Sequence, residues 1–274
     1  MAGFTAYQLV WFFFIYAFLG WCVEVIFCSV NTGHWVNRGF LNGPVCPIYG
    51  FGMVIVLLCL TPISQNLLLL FIGSFFLTSA LELVTGFVLK KAFHTTWWDY
   101  TDQPFNIGGY VCLKFSLAWG LGGMAAVRLL HPPIERLVGW LPRPLGLALL
   151  ALMGIALIAD GIVTLTTLIG LRRSLRELDK IAAALKKHSD KISYNLGSSA
   201  IAVDMKLEAD RENLPARIAA LEARRDLLHA QILDRKMMGA ARLMQAFPNM
   251  QTLRHREALG QLRKELHEKK HRKS

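Results

Sequence analysis

Four ionisable side chains stand inside otherwise apolar runs: Glu24, Glu82, Lys114 and Asp160. A charge at the bilayer centre costs at least about 2.5 kcal/mol, so each one marks a paired or a ligand-binding group. Carboxylates and an ammonium held away from water can pair with one another or bind a cation. Two carboxylates can also do acid–base work if their proton affinities are split. Helical spacing groups these residues with others. Tyr16, Gly20, Glu24 and Cys28 recur every four positions, as do Ser74, Thr78 and Glu82, with Thr85 next; Thr164 and Thr167 follow Asp160. Spacings of three and four put each set on one helix face, so these faces are expected to look into a bundle.

Two loops carry the remaining polar chemistry. In RGFLNGPVCPIYGFG, residues 38–52, Arg38 and Asn42 sit among Gly39, Gly43, Gly50 and Gly52, with Pro44 and Pro47. Non-helical backbone at membrane depth is tolerated only where protein buries it or water reaches it. The glycines permit tight turns and close approach, and Pro47 suits a first helical turn. Such a loop either folds into the bundle to offer backbone groups and Arg38 to a ligand, or is a structural re-entrant turn in which Arg38 satisfies Glu24 or Asp99. The second loop, HTTWWDYTDQPFN at 94–106, supplies Trp98, Asp99, Asp102 and Asn106. The candidate binding residues are therefore Glu24, Arg38, Asn42, Glu82, Trp98, Asp99, Asp102, Asn106 and Lys114. At 1.5 Å per residue, Glu24, Glu82 and Lys114 lie roughly 6–10 Å below the surface, and alternation of spans puts them and both loops on one side. Glu24, Arg38, Glu82, Asp99 and Lys114 are expected to converge in one pocket, roofed by the Gly/Pro loop and Trp97–Trp98. On that expectation, neutralising Glu24 or Lys114 does more damage than Asp160→Asn.

The elements that hold these residues follow from hydropathy. Tyr7–Val30, Leu67–Leu89, Tyr110–Leu130 and Leu145–Leu171 are apolar runs of 21 to 27 residues, and Pro47–Pro62 is a shorter run of 16; crossing a bilayer takes about 20. The chain is 54% hydrophobic with a net charge of +11, and that charge is unevenly spread. Up to Gly170, seven Lys and Arg stand against six Asp and Glu; beyond it, 23 stand against 13. The fold expected is an all-α polytopic membrane bundle of about five spans with a helical, partly coiled-coil tail. Residues 1–171 form the bundle, with a Gly/Pro-rich loop at 31–52 and an aromatic, acidic loop at 90–109; residues 172–274 form the basic tail. The first run lacks the basic start and cleavage site of a signal peptide. Arg172, Arg173 and Arg176 follow the last span, and Lys90, Lys91 and Arg38 fall on the same side, so the positive-inside rule puts the tail in the cytosol and the N-terminus outside.

In the tail, Leu175, Leu178, Ala182 and Leu185 predict one amphipathic helix. A second is expected after ENLPAR, with Asn213 as cap and Pro215 in the first turn. Its seam is Leu214, Ile218, Leu221, Leu228 and Ile232, interrupted by Arg225. YNLGSS and FPNM read as breaks. The basic excess is interspersed with acids and has no nucleic-acid module, so it suits anionic lipid rather than nucleic acid. Five cysteines form no CxxC and no metal-like spacing with histidine; they read as small apolar residues. There is no P-loop, so the chain does not itself bind ATP through one. No catalytic residue, metal ligand or cofactor is assigned.

The stretches FLGWCVEVIFCSV (18–30), VNRGFLNGPVCPIYGFG (36–52), LTSALELVTGFVL (77–89), WWDYTDQPFNIGGYVCLKFSLAWG (97–120) and HP (131–132) resemble, in order, the putative ABC-transporter type IV (CmpB-like) family. The resemblance implies a multi-pass bacterial plasma-membrane permease. The function expected is a permease-like component that binds or passes a small polar or charged solute near the cytosolic side, driven by a separate ATPase subunit or an ion gradient. The alternatives are a membrane scaffold that recruits partners through its tail and, behind it, a lipid-acting membrane enzyme using Glu24, Glu82 or Asp99. The partners this reading allows are the lipid bilayer, a separate ATPase subunit and a second copy of the chain.

Overall fold

The computed structural model describes residues 3–33, 35–197, 205–234, 239–252 and 255–271. Helix α1 spans Ala6–Thr32. It begins at a capping box, in which Thr5 Oγ1 accepts from the Gln8 N–H and Gln8 Oε1 accepts from the Thr5 N–H at 2.9 Å, and it ends at Gly33 in the left-handed region, φ +71°. Helix α2 is Pro47–Leu60, with its proline at the first turn, followed by a 3₁₀ turn at Thr61–Ile63. Asn66 caps α3, Leu67–Phe93, by accepting from the Leu68 and Leu69 N–H groups. Strands β1 (Thr95–Thr96), β2 (Asn106–Ile107) and β3 (Val111–Cys112) lead into α4, Leu113–Ala125. A π-turn at Ala126–Leu130 joins α4 to α5, His131–Trp140. It lies just ahead of Pro132 and Pro133, which lack the N–H that the α-helical ladder would use. The rest is α6 (Arg143–Gly197), α7 (Met205–Asp234), α8 (Ala240–Ala246), β4 (Gln251–Thr252) and α9 (Arg256–His271).

Ala6–Asn31, Leu67–Phe93, Leu113–Trp140 and Arg143–Lys187 are long and apolar enough to cross a membrane. Pro47–Ile63 is shorter, about 25 Å of helix against a core of about 30 Å. The protein is thus a multi-pass helical membrane protein. Large apolar side chains stand exposed along the spans, among them Phe76, Leu129, Leu152 and Ile155, as lipid rather than water as solvent permits.

The chain divides into two compact units. One comprises Met1–Thr164 together with Leu243–Leu253. Its core is Phe12, Tyr16, Val56, Leu57, Leu60, Leu70, Val127 and Val138. Helices α1 and α2 approach closely through glycines: a Cβ at Gly50 would lie 2.6 Å from the Phe13 carbonyl oxygen, and one at Gly20 would collide with the Tyr49 ring. Strand β4 belongs to this unit, antiparallel to β1, with Thr95 opposite Thr252 and Thr96 opposite Gln251.

The other unit comprises Leu165–Arg242 and Arg254–Ser274. Leu175, Leu178 and Ile181 are buried along α6. In α7, Ile218, Leu221 and Leu228 are half-buried and Ile232 is buried. His229 Nδ1 lies 2.6 Å from Glu265 Oε1, tying α7 to α9, and His255 bonds to Asp179 on α6.

Three expectations change. The last apolar run and the first tail helix are one uninterrupted helix of 55 residues, which passes through Tyr194–Gly197; Ser198 and Ser199 lie outside the described residues. Pro215 is interior to α7 and Asn213 is not its cap, because strong helix formers such as Lys206, Leu207, Glu208 and Ala209 start the helix earlier. Gly50 and Gly52 are helical rather than part of a turn, and Gly50 serves close packing against Phe13. The FPNM break is present, with the Met250 N–H bonded to the Phe247 carbonyl at 3.0 Å.

Candidate functional site

Four elements of the first unit meet around Glu24. Its position on α1, in line with buried Tyr16 and Cys28, aims the carboxylate at the Gly/Pro loop. There Arg38 Nε lies 3.0 Å from Glu24 Oε2, and both side chains are about a quarter exposed, at 28% and 26%. From α2, the Tyr49 hydroxyl donates to the other oxygen, Oε1, at 2.6 Å. Arg38 therefore finds Glu24, one of the two partners open to it in the sequence.

Glu82 on α3 forms the neighbouring half of the cluster. The Tyr100 hydroxyl, from the aromatic loop, donates to Glu82 Oε1 at 3.2 Å. Burial, and then the Glu82 carboxylate beside it, holds the Tyr100 phenol above the usual tyrosine range, so it remains a donor at neutral pH. The second Glu82 oxygen is buried without a well-formed hydrogen bond among the described residues, and the Trp119 indole is close by. Glu24 is near enough for the two carboxylates to interact. Aromatic rings close the space: Tyr49 meets Trp119 edge-on at 5.6 Å and Tyr100 stacks on Phe115 at 4.8 Å.

The Gly/Pro loop is held in place by Asp160 of α6, which sequence reading set apart. Asp160 Oδ1 accepts from the Asn42 N–H at 3.0 Å and from Asn42 Nδ2 at 2.7 Å, and Oδ2 accepts from the Gly43 N–H at 2.7 Å. Thr164, 1% exposed, donates to Oδ1 and accepts from Asn42 Nδ2. Elsewhere in the loop, Trp21 Nε1 donates to Asn37 Oδ1, Asn37 Nδ2 donates to the Asn42 carbonyl, and the Cys46 N–H donates to the Ala17 carbonyl. Carboxylate capture of consecutive loop amides satisfies backbone groups that lipid would leave orphaned.

Of the nine expected site residues, Glu24, Arg38 and Glu82 come together, and Asn42 flanks them through the loop. Trp98 donates from Nε1 to the Tyr110 carbonyl and packs against Gly86. Asp99 and Asn106 shape their own loop: Asp99 Oδ1 accepts from the Thr101 N–H, and Asn106 Nδ2 donates to the Thr101 and Gln103 carbonyls. Asp102 is exposed. Lys114 is exposed as well, its ammonium 5.8 Å from the Phe115 ring centroid. Of the five charges expected to converge, Glu24, Arg38 and Glu82 lie near one another, whereas Asp99 bonds within its own loop and Lys114 is exposed. Tyr110–Cys112 belong to the β2–β3 hairpin instead of a span, so Lys114 falls in the first turn of α4, where a long amine can snorkel to water. Trp97 is buried among Phe40, Phe93 and Phe247 and does not roof the acids. Sequence reasoning missed Tyr49 and Tyr100. The only signal for Tyr49 was its place in the α2 first turn, three positions beyond Cys46.

Fold and cluster together define a class: a multi-pass helical membrane protein with an ion pair and a second carboxylate enclosed among its spans. The profile of the family described as "Putative ABC-transporter type IV" matches residues 11–165, more than half of the chain and all of the cluster, and the protein belongs to that family. No curated protein and no solved structure matches the chain.

Proposed function

We propose that the protein is a permease-like transport component whose Glu24–Arg38–Glu82 cluster binds a small polar or charged solute. The observation that carries this reading is the second, buried Glu82 oxygen, which has no well-formed hydrogen bond among the described residues and lies near the Trp119 indole, with Tyr100 on the other oxygen. Buried acceptors are nearly always satisfied, and a solute N–H or ammonium would satisfy this one. Two carboxylates against one guanidinium favour a cationic group, and aromatic faces add cation–π attraction. Energy comes from a separate ATPase subunit or an ion gradient.

Thermal unfolding of the purified protein with choline, lysine or phosphate tests this reading. A ligand present at 100 times its Kd stabilises by about 2.7 kcal/mol. The cationic probes should raise the melting temperature, phosphate should not, and Glu82→Gln should abolish the response. No shift with any cationic probe, or equal shifts in Glu82→Gln, would remove it.

The same reading sets the N-terminus outside and the basic tail in the cytosol, with Glu24 and Glu82 opening to the cytosolic side. An impermeant thiol reagent should label Gln65→Cys in intact cells and Ser189→Cys only after permeabilisation. The opposite pattern reverses the orientation.

A further inference from the structure

A short segment of the tail is built into the same compact unit as the membrane helices, and its placement bears on the Gly/Pro loop. Residues Leu243–Leu253 are part of that unit. Strand β4 lies in register against β1, and Phe247, at the start of the turn before it, sets its ring edge-on to Trp97 at 5.0 Å and 78°. Trp97, 4% exposed, directly follows β1. Its ring meets Phe40 edge-on at 5.1 Å, and Phe93 closes the third side at 6.3 Å from Trp97 and 6.2 Å from Phe40. Phe40 lies two residues from Arg38 and two from Asn42. A continuous set of packed rings thus runs from the tail segment to the loop that carries the ion pair.

The two ends of this set differ in strength. The loop is anchored by Asp160 through three hydrogen bonds. The ladder of β1 and β4 is only two residues long on each side. A pair of strands that short is marginal alone, so most of the grip comes from ring packing and from burial of Ala246, Met250 and Thr252. The tail end is the weaker one and is the place where release would begin.

We infer that Leu243–Thr252 is a latch: docked through Phe247 on Trp97, it holds Phe40 and the Gly/Pro loop over the Glu24–Arg38 pair, and its release loosens that loop. An event on the tail is thereby coupled to access at the charged cluster. The coupling concerns the loop alone and holds whether or not the cluster binds a solute.

Cys46 supplies a native reporter. It ends the loop, is 6% exposed, and donates its N–H to the Ala17 carbonyl. That burial keeps its thiol from the reagent, so in the latched protein it reacts slowly. In a protein whose other cysteines are replaced by serine or alanine, Cys46 labelling by a small maleimide is followed by mass spectrometry. Phe247→Ala should speed labelling on the order of tenfold, and Phe247→Leu by much less. If Phe247→Ala reduces the folded yield, the comparison moves to a Thr95→Cys/Thr252→Cys protein that keeps every ring. These positions face each other across the ladder, at a separation a disulfide accepts. Oxidising that pair should slow Cys46 labelling, and reducing it should restore the rate. Equal Cys46 rates in Phe247→Ala and wild type, or in oxidised and reduced protein, overturn the latch.

Discussion

Replacing Asp160 with leucine should lower the melting temperature of the purified protein by roughly 6–12 °C, which is about 3 kcal/mol at 2–4 °C per kcal/mol for a chain of this size. The reason lies in what Asp160 holds. Its two oxygens accept from the Asn42 N–H, the Asn42 side chain and the Gly43 N–H. Leucine keeps the bulk and removes every acceptor. Each donor left without its partner costs about 1–3 kcal/mol when buried, and the part-buried setting of these three puts the sum near the lower end. The rest of this stretch of α6 offers little compensation, since Leu152, Ile155, Ile158 and Ile162 are exposed. Asp160→Asn retains one acceptor oxygen and should lose about half as much. The order Leu worse than Asn separates the hydrogen-bonding role from a charge effect, which would affect both alike. Scanning fluorimetry in detergent decides it, and an Asp160→Leu protein that melts with the wild type would show that the loop is held by something else.

That expectation gives Asp160 a holding role that the sequence reading did not assign to it, and the reason is physical. Hydropathy places Asp160 within its span correctly, yet says nothing about its partner. The partner, Asn42, is 118 positions away, and only the path of the Gly/Pro loop brings the two together. The helices themselves were legible because a backbone in lipid must satisfy its own N–H and C=O groups, so each long apolar run has one solution. The lining faces were legible for a related reason: Tyr16, Cys28, Ser74 and Thr164 are buried, as polar and small residues at helical spacing ought to be. Lys114 shows where this logic ends. An average over a window does not see that Gly108 and Gly109, with φ of +60° and +74°, turn a hairpin just ahead of it. The helix consequently starts three residues later than the apolar run, at Leu113. Tyr49 was hidden because a phenol in an apolar run reads as packing, and Tyr100 because its partner Glu82 stands 18 positions back on another element.

Around Glu24 the sign of non-additivity is the informative quantity. Arg38→Met leaves the Glu24 carboxylate with Tyr49 as its partner among the described residues, and near Glu82. A stranded buried charge costs about 3–5 kcal/mol; with a quarter of each side chain exposed, about 2–3 kcal/mol is expected here. Glu24→Gln should cost less. The Tyr49 hydroxyl keeps an acceptor in the amide oxygen, and the long Arg38 side chain can turn its guanidinium toward water. The double substitution Glu24→Gln/Arg38→Met removes both charges and strands neither, so it should be more stable than Arg38→Met by about 1–2 kcal/mol. Simple addition of the two single effects would mean that the 3.0 Å pair contributes no coupling. The double variant also separates holding from binding. If the cluster only joins α1 to the loop, restoring stability restores everything, including whatever response wild type shows to cationic probes. If the cluster binds a solute, the stable double variant still lacks a carboxylate of the site, and its response to those probes stays low.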